Sequence, residues 1–247
     1  MKRSEKATII GKTLDELYPK TPIPLDHDSS YTLLVAVMLS AQTTDKKVNE
    51  VTPKLFSIAN TPEKMAELST DTIQEIIKEI GLAPTKAKNL HKMALQLIEG
   101  GGVKQDWDYL ESLAGVGHKT ASVIMSQWYG VPAFPVDTHI HRLAYRWGLS
   151  NGKNVEKTEL DLKKIWPEDQ WNRRHLQIIF FGREHCPARN HNLKDCLICS
   201  WAASQKRITQ EALINVKKHS QAKIVRVLLM SYETGKYSLI IEDDGIG

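Results

Sequence analysis

The sequence contains no apolar run long enough to cross a lipid bilayer. Its longest run, Leu33–Leu39, is far shorter than the roughly 20 residues that a membrane-spanning helix requires. The segment Met1–Glu16 is charged and lacks the apolar stretch of a secretory signal. We therefore expect an intracellular protein that does not associate with a membrane.

Cysteine is scarce, and the three that occur, Cys186, Cys196 and Cys199, are confined to one short segment. An odd, clustered set without a secretory signal argues against a disulfide framework and favours metal or redox chemistry. Three buried thiols are the alternative. The sequence also has little excess charge. Its net charge of +4 is too small to indicate a nucleic-acid partner by itself.

Strand-like sequence is absent until late in the chain. Helical periodicity and capping signals dominate from Ala7 to about Lys218, which predicts an all-α body. The stretch Lys223–Asp243 is rich in β-branched and aromatic residues around a Thr234–Gly235 turn, which predicts an appended β-hairpin. Packing against the N-terminal helix is the favoured placement. A lid, a partner site and a dimer contact are the alternatives.

A glycine hairpin, LAGVGHKTASVIM, lies at Leu113–Met125 between two apolar helices. Gly115 and Gly117 allow positive φ angles and leave no side chain in front of the second helix. The free N–H groups and the dipole of a helix start form a site for phosphate. This arrangement predicts a grip on the DNA backbone that reads no sequence. An ordinary helix–turn–helix connection is the alternative.

Lys119 follows the hairpin, and Asp137 precedes a helix predicted to start near Thr138. The helix start and partial burial should lower the pKa of Lys119, so that its neutral amine can form a Schiff base with a sugar carbon. The alternative is a solvated lysine that touches phosphate. Asp137 is either a simple N-cap or a carboxylate that stabilises positive charge on the sugar and accepts a proton.

The stretch LAGVGHKTASVIMSQWYGVPAFPVDTHIHR, together with LLVAVMLSAQTTDKKVN and NTPEKMAEL, resembles the endonuclease III family of DNA glycosylases. The resemblance runs from about Ser30 to Cys199. It implies an all-α, two-domain helix–hairpin–helix glycosylase fold, to which the β-hairpin adds a short extension. We expect a six-helix barrel domain at 25–134, a second helical domain made of 1–24 and 135–206, and an extension at 207–247.

The same resemblance assigns roles to individual residues. Lys119 matches the family's nucleophile and Asp137 its assisting carboxylate, while Gln42 matches the residue that fills the gap in the duplex and Leu82 the wedge in the opposite strand. Without the resemblance, Gln42 would be a polar helix end and Leu82 a core leucine. Further DNA contacts are expected from the hairpin and the aspartate segment, at Gly115, Val116, Gly117, His118, Thr120 and His139.

The implied activity is that of a bifunctional glycosylase and AP lyase that removes oxidised pyrimidines in base excision repair. Its partner would be double-stranded DNA with damaged bases or abasic sites. We expect a monomer that is intracellular in any case, and cytoplasmic and associated with the nucleoid if the source is bacterial. A monofunctional mismatch-specific glycosylase is one alternative, although those relatives usually lack the lysine at position 119. A non-catalytic helix–hairpin–helix module that only binds DNA is the other.

The cysteine segment departs from the family. Most members have four cysteines around a 4Fe–4S cluster, with six, two and five residues between successive cysteines. This chain has nine residues between Cys186 and Cys196, then Cys199, and it carries Gln205 where the fourth cysteine is expected. The missing ligand leaves three possibilities: an unusual iron–sulfur cluster, a structural zinc ion, or no metal.

His191 lies in the lengthened loop and gives the pattern C-x4-H-x4-C-x2-C, which makes it the candidate fourth ligand. His185, beside Cys186, is its rival. Arg183, Arg189 and Lys194 flank the segment and are predicted either to contact phosphates or to form a solvated face.

Overall fold

The computed structural model describes the chain except for residues 189–190, 205–206, 211–212, 214–215, 217–220, 222, 232–236 and 245–247. Three sequence predictions fall on these positions and lie outside the described residues. They are the phosphate contact of Arg189, the replacement of the fourth cysteine by Gln205, and the turn at Thr234–Gly235.

The described residues are mainly helical, as predicted. In chain order the helices are α1 (Arg3–Leu17), α2 (Ser30–Leu39), α3 (Asp45–Ile58), α4 (Pro62–Ala66), α5 (Thr70–Ile76), α6 (Ala83–Gly100), α7 (Trp107–Ser112), α8 (His118–Gln127), α9 (Thr138–Arg146), α10 (Val155–Ile165), α11 (Trp171–Glu184) and α12 (Cys199–Ala202). A 3₁₀ turn at Glu168–Gln170 precedes α11.

A first hydrophobic core forms around α2 from buried residues between Leu25 and Met125. Helix α2 is apolar on all sides and is enclosed by the neighbouring helices, as its sequence predicts. Ser29 is the N-cap of this helix, and its Oγ accepts a hydrogen bond from the backbone N–H of Thr32 at 3.1 Å. We call this part of the molecule the first lobe.

A second hydrophobic core combines the N-terminal helix α1 with residues from Phe134 to Ala202. Helix α11 packs against both α1 and α9, so the start of the chain joins its later half. We call this part the second lobe. The two cores agree with a two-lobed body, but Phe134 belongs to the second core, and the exact domain bounds stay a prediction.

The C-terminal extension contains the predicted hairpin, with β1 (Val225–Ser231) antiparallel to β2 (Tyr237–Asp243) and Leu228 opposite Ile240. Val227 and Leu228 point to opposite faces of this ribbon, and they are 50% and 42% exposed. The packing of the hairpin against the N-terminal helix stays a prediction, since these two side chains are only half-buried. Among the described residues, no helix has the length and hydropathy needed to traverse a bilayer.

Candidate functional site

A cavity of about 670 Å³ lies between the two lobes. The first lobe contributes the segment after α2 and the start of α8, whereas the second lobe contributes the start of α9 and one side chain of α11. The lining residues are Ser40, Ala41, Gln42, Thr43, Thr44, Asp45, Lys46, Lys119, Asp137, Thr138, His139 and Arg183. The cavity thus brings together four of the residues predicted from sequence: Gln42, Lys119, Asp137 and His139.

The glycine hairpin connects α7 to α8, and its two glycines differ. Gly115 has φ +78°, and a Cβ there would lie 2.8 Å from Met38 Sδ and 2.9 Å from Asn89 Nδ2. Gly117 has an ordinary φ of −101°, and apart from its two neighbours in the chain no atom of the described residues lies within 4 Å of a Cβ built on it. Of the two glycines, Gly115 uses the positive φ that the residue type allows, whereas Gly117 leaves open space at the start of α8.

The hairpin residues between and after the glycines face different surroundings. The side chain of Val116 is buried in the first core, and its N–H donates to the carbonyl of Leu113 at 3.1 Å, so this predicted contact residue has its amide already used. Thr120 is half-buried. Lys119 lies in the first turn of α8 and borders the cavity, but it is exposed, contrary to the partial burial expected.

His118 joins the two lobes. Its ring stacks on Trp107 with 5.8 Å between centroids, and its nitrogens lie 2.7 Å from Glu111 Oε1 and 3.3 Å from Glu159 Oε2. Burial lowers the pKa of His118, but hydrogen bonds and charge from Glu111 and Glu159 outweigh this effect and raise it. His118 therefore ties the hairpin to α10, and its predicted DNA contact stays a prediction.

Asp137 starts α9 as predicted, because its Oδ1 accepts a hydrogen bond from the N–H of Ile140 at 2.7 Å. Its half-buried carboxylate borders the cavity on the side of the second lobe. His139 follows on the same helix. Burial lowers its pKa, and the cations of Arg142 and Arg183 add to this effect against the opposing charge of Asp137. A neutral imidazole therefore lies beside an anchored carboxylate.

His175 is a site residue that the sequence did not reveal. It is only 3% exposed and lines a small recess continuous with Lys119 and Asp137. Its Nδ1–H donates to the carbonyl of Pro135 at 2.8 Å. Complete burial lowers its pKa, and the nearby cation of Lys119 lowers it further, so the ring is neutral at pH 7.

Gln42 and Leu82 lie in two turns of the first lobe that contact each other. Both have left-handed backbones, with φ +57° and +61°, which is uncommon for residues other than glycine. Leu82 is 55% exposed, so it is not a core leucine. The N–H of Gly81 donates to Thr43 Oγ1 at 3.1 Å and connects the two turns.

Lys86 is a second residue that sequence reasoning missed. Its ammonium is buried beneath the turn that carries Gln42, where it donates to the carbonyl of Leu39 at 2.8 Å and to that of Ala41 at 2.5 Å. Burial lowers the pKa of Lys86. A lysine in an apolar helical segment gives no sequence signal for this role, because its partners lie about 45 residues away.

An ion pair joins the lobes at the cavity. Arg183 on α11 donates to Asp45 on α3 at 2.6 Å between Nη2 and Oδ2. Arg183 therefore lies at the site, paired with a carboxylate and not on an unpaired basic face. Lys194, the other described member of the predicted basic set, is exposed.

Comparison with known proteins explains this arrangement. Residues 35–168 match the model of the HhH-GPD superfamily of base excision DNA repair proteins. Endonuclease III of Bacillus subtilis is 38% identical over 81% of this chain and 93% of its own length. The chain belongs to the endonuclease III family.

Two solved structures of endonuclease III have the same fold. One is a non-covalent complex with DNA, which is 34% identical, covers 87% of this chain and all of its own, and superposes with a TM-score of 0.80. The other is a trapped covalent intermediate with DNA, 35% identical over 86% of this chain and all of its own, with a TM-score of 0.79. The all-α glycosylase fold is confirmed.

The segment in which this chain departs from the endonuclease III pattern forms one compact cluster. The ligand atoms of Cys186, His191, Cys196 and Cys199 all lie within 4.8 Å of one another. The three thiols are buried and His191 is half-buried. His185, the rival, instead packs its ring on Phe181 and is no member of this cluster. These four residues can hold a metal ion.

Proposed function

We propose that this protein is a bifunctional DNA glycosylase and AP lyase that removes oxidised pyrimidines during base excision repair. It acts as a monomer on double-stranded DNA containing damaged bases or abasic sites. The observation that carries the proposal is that Lys119 from one lobe and Asp137 from the other border a single cavity. Family membership and the likeness to a trapped covalent endonuclease III–DNA intermediate support a covalent route.

In this proposal the start of α8 holds the sugar–phosphate backbone. The open space beside Gly117, where a side chain would otherwise lie, admits a phosphate to the start of α8. There the phosphate meets the free N–H groups and the positive end of the helix dipole. Gln42 enters the gap left in the duplex and Leu82 separates the opposite strand, since both lie on strained, projecting turns. The target nucleotide rotates into the cavity, which requires a few kcal/mol for unstacking and less for a damaged base.

The proposed chemistry begins when Lys119 loses its ammonium proton and its amine attacks C1′ of the deoxyribose. The bond from C1′ to the base breaks with its electron pair on the base, which takes a proton from water as it leaves. Asp137 is directed by its cap to Ile140, so its carboxylate is placed to stabilise positive charge on the sugar and to accept the proton lost by the amine. Opening of the sugar ring gives an imine. Removal of a C2′ proton then expels the 3′ phosphate and nicks the strand.

Borohydride trapping on a duplex with thymine glycol tests this proposal. Wild-type protein should form a covalent adduct, and Lys119→Gln should form none. Lys46→Gln is the matched control, because Lys46 borders the same cavity and its loss removes the same charge. Asp137→Asn keeps an oxygen for the helix cap but removes the carboxylate. We therefore expect the rate of adduct formation to fall by at least about 100-fold.

The other outcomes separate the alternatives. Base release without any wild-type adduct would identify a monofunctional glycosylase. Binding without release or adduct, equal in wild type and Lys119→Gln, would identify a non-catalytic DNA-binding module.

We also propose that the Cys/His cluster holds a structural metal that orders residues 186–199 beside α9. Arg142 supports this role, since its Nη2 donates to the carbonyl of Cys186 at 2.8 Å and lies 3.3 Å from His139 Nδ1. The metal would thus fix a loop that is hydrogen-bonded to the cavity wall. A chelator should lower the melting temperature of the protein and weaken DNA binding if this role is correct.

A further inference from the structure

We infer that Cys186, His191, Cys196 and Cys199 bind a single zinc ion instead of the iron–sulfur cluster that the family resemblance implies. This inference rests on the proposed structural metal and specifies its identity. Three thiolates and one imidazole form a set that suits tetrahedral zinc, which protein sites commonly bind through sulfur and nitrogen ligands.

The distances agree with one central ion. Zinc–sulfur bonds of about 2.3 Å in a tetrahedron place two sulfurs about 3.8 Å apart, and a sulfur and a nitrogen about 3.6 Å apart. Cys186 Sγ lies 3.5 Å from Cys199 Sγ and 3.6 Å from His191 Nε2. These two distances match a tetrahedral site around one ion, and all four ligand atoms lie within 4.8 Å of one another.

The same distances do not fit a 4Fe–4S cluster. In such a cluster each ligand binds a different iron atom, and the irons and sulfides form a cube between the ligands. The ligand atoms must then lie outside the cube and well apart from one another. The four atoms here all lie within 4.8 Å of one another, which leaves space for one ion but not for the cube.

The charge near the cluster also agrees with one zinc ion. Three thiolates and Zn²⁺ leave one net negative charge in a buried position, which requires a partner. Arg146 is 3% exposed, and its Nη1 lies 3.2 Å from Cys186 Sγ and 2.9 Å from the carbonyl of Pro187. Its guanidinium balances that charge and orients the Cys186 loop, as partners of metal ligands commonly do.

Metal analysis of the purified full-length protein tests the inference. We expect one zinc per chain, no iron, no acid-labile sulfide and no visible absorption. Replacement by Co²⁺ should give the intense absorption bands of a tetrahedral site with thiolate ligands. His191→Asn should release zinc to a competing chelator at least about tenfold faster than the wild type. His185→Asn is the matched control and should release zinc like the wild type.

Each contrary result has a distinct meaning. Iron and sulfide in stoichiometric amounts would overturn the zinc inference and keep the structural metal. Absence of any metal, with free thiols or a disulfide between Cys186 and Cys199, would overturn both. Equal zinc release from His191→Asn and His185→Asn would overturn the assignment of His191. If the variants precipitate, the metal content and cobalt spectrum of the wild type decide.

Discussion

The two glycines of the hairpin give a matched pair of substitutions with opposite expected effects. Gly115→Ala places a Cβ where the backbone has φ +78° and where Met38 Sδ would be only 2.8 Å away. The left-handed backbone costs about 1–2 kcal/mol for an L-residue, and the overlap adds about 1–3 kcal/mol. The two penalties together are about 2–5 kcal/mol, so for a chain of this size we expect the melting temperature to fall by about 4–20 °C.

Gly117→Ala meets neither penalty, because its backbone is ordinary and its Cβ would face open space among the described residues. Its stability should stay within about 0.5 kcal/mol of the wild type. The added methyl lies where we propose that a DNA phosphate approaches α8. A loss of about 1.4 kcal/mol there would weaken DNA binding about tenfold.

The assay combines thermal unfolding with fluorescence anisotropy on a duplex that carries a stable abasic-site analogue, at one fixed salt concentration. The reasoning requires stability to change at Gly115 and affinity at Gly117. Equal losses of melting temperature in both variants would refute the distinction between the two turns. Unchanged affinity in Gly117→Ala would refute the approach of a phosphate to this helix start.

Three further outcomes are expected. Lys86→Met leaves buried carbonyls without their hydrogen-bond donor, which costs about 1–3 kcal/mol for each carbonyl. The melting temperature and the rate of base release should therefore both fall. Lys88 is exposed, so Lys88→Met is the control and should match the wild type in both measurements. Because the pKa of His118 is raised in the fold, its stabilising contribution is present below the ordinary value of 6.5 and is lost as pH rises through the raised value. The melting temperature of His118→Gln should consequently lie furthest below wild type in acid, and a constant difference across pH would contradict this linkage. Ending the chain at Gln221 should leave base release unchanged, as measured on the same thymine glycol duplex, because the described hairpin residues do not border the cavity.

Features set by neighbouring residues could be predicted from the sequence. The cap of α9 depends only on Asp137 and an amide three residues later, and the cap of α2 on Ser29 and Thr32. Such contacts follow from the order of residue types, and the start of α9 near Thr138 is therefore predicted correctly. The family resemblance supplied Gln42 and Leu82, which no local pattern marks.

Features set by distant residues could not be predicted. His175 faces the cavity only because α11 packs against the segment of Pro135, and Arg183 meets Asp45 only because α11 reaches α3. No periodicity encodes such pairings, since each partner alone fits a half-polar helix. The choice between His185 and His191 likewise depended on how the loop folds, because both lie within reach of Cys186 in the sequence.

The left-handed backbones of Gln42 and Leu82 suit the insertion into DNA that we propose for both residues. Each left-handed backbone costs about 1–3 kcal/mol and persists only where surrounding contacts impose it. Lys86 supplies such contacts beneath Gln42, and the hydrogen bond from Gly81 to Thr43 supplies one beside it. The strain is therefore offset within the protein before DNA arrives. In the proposed complex, insertion into the duplex would then need little ordering of these turns, which would leave binding energy to unstack the target base.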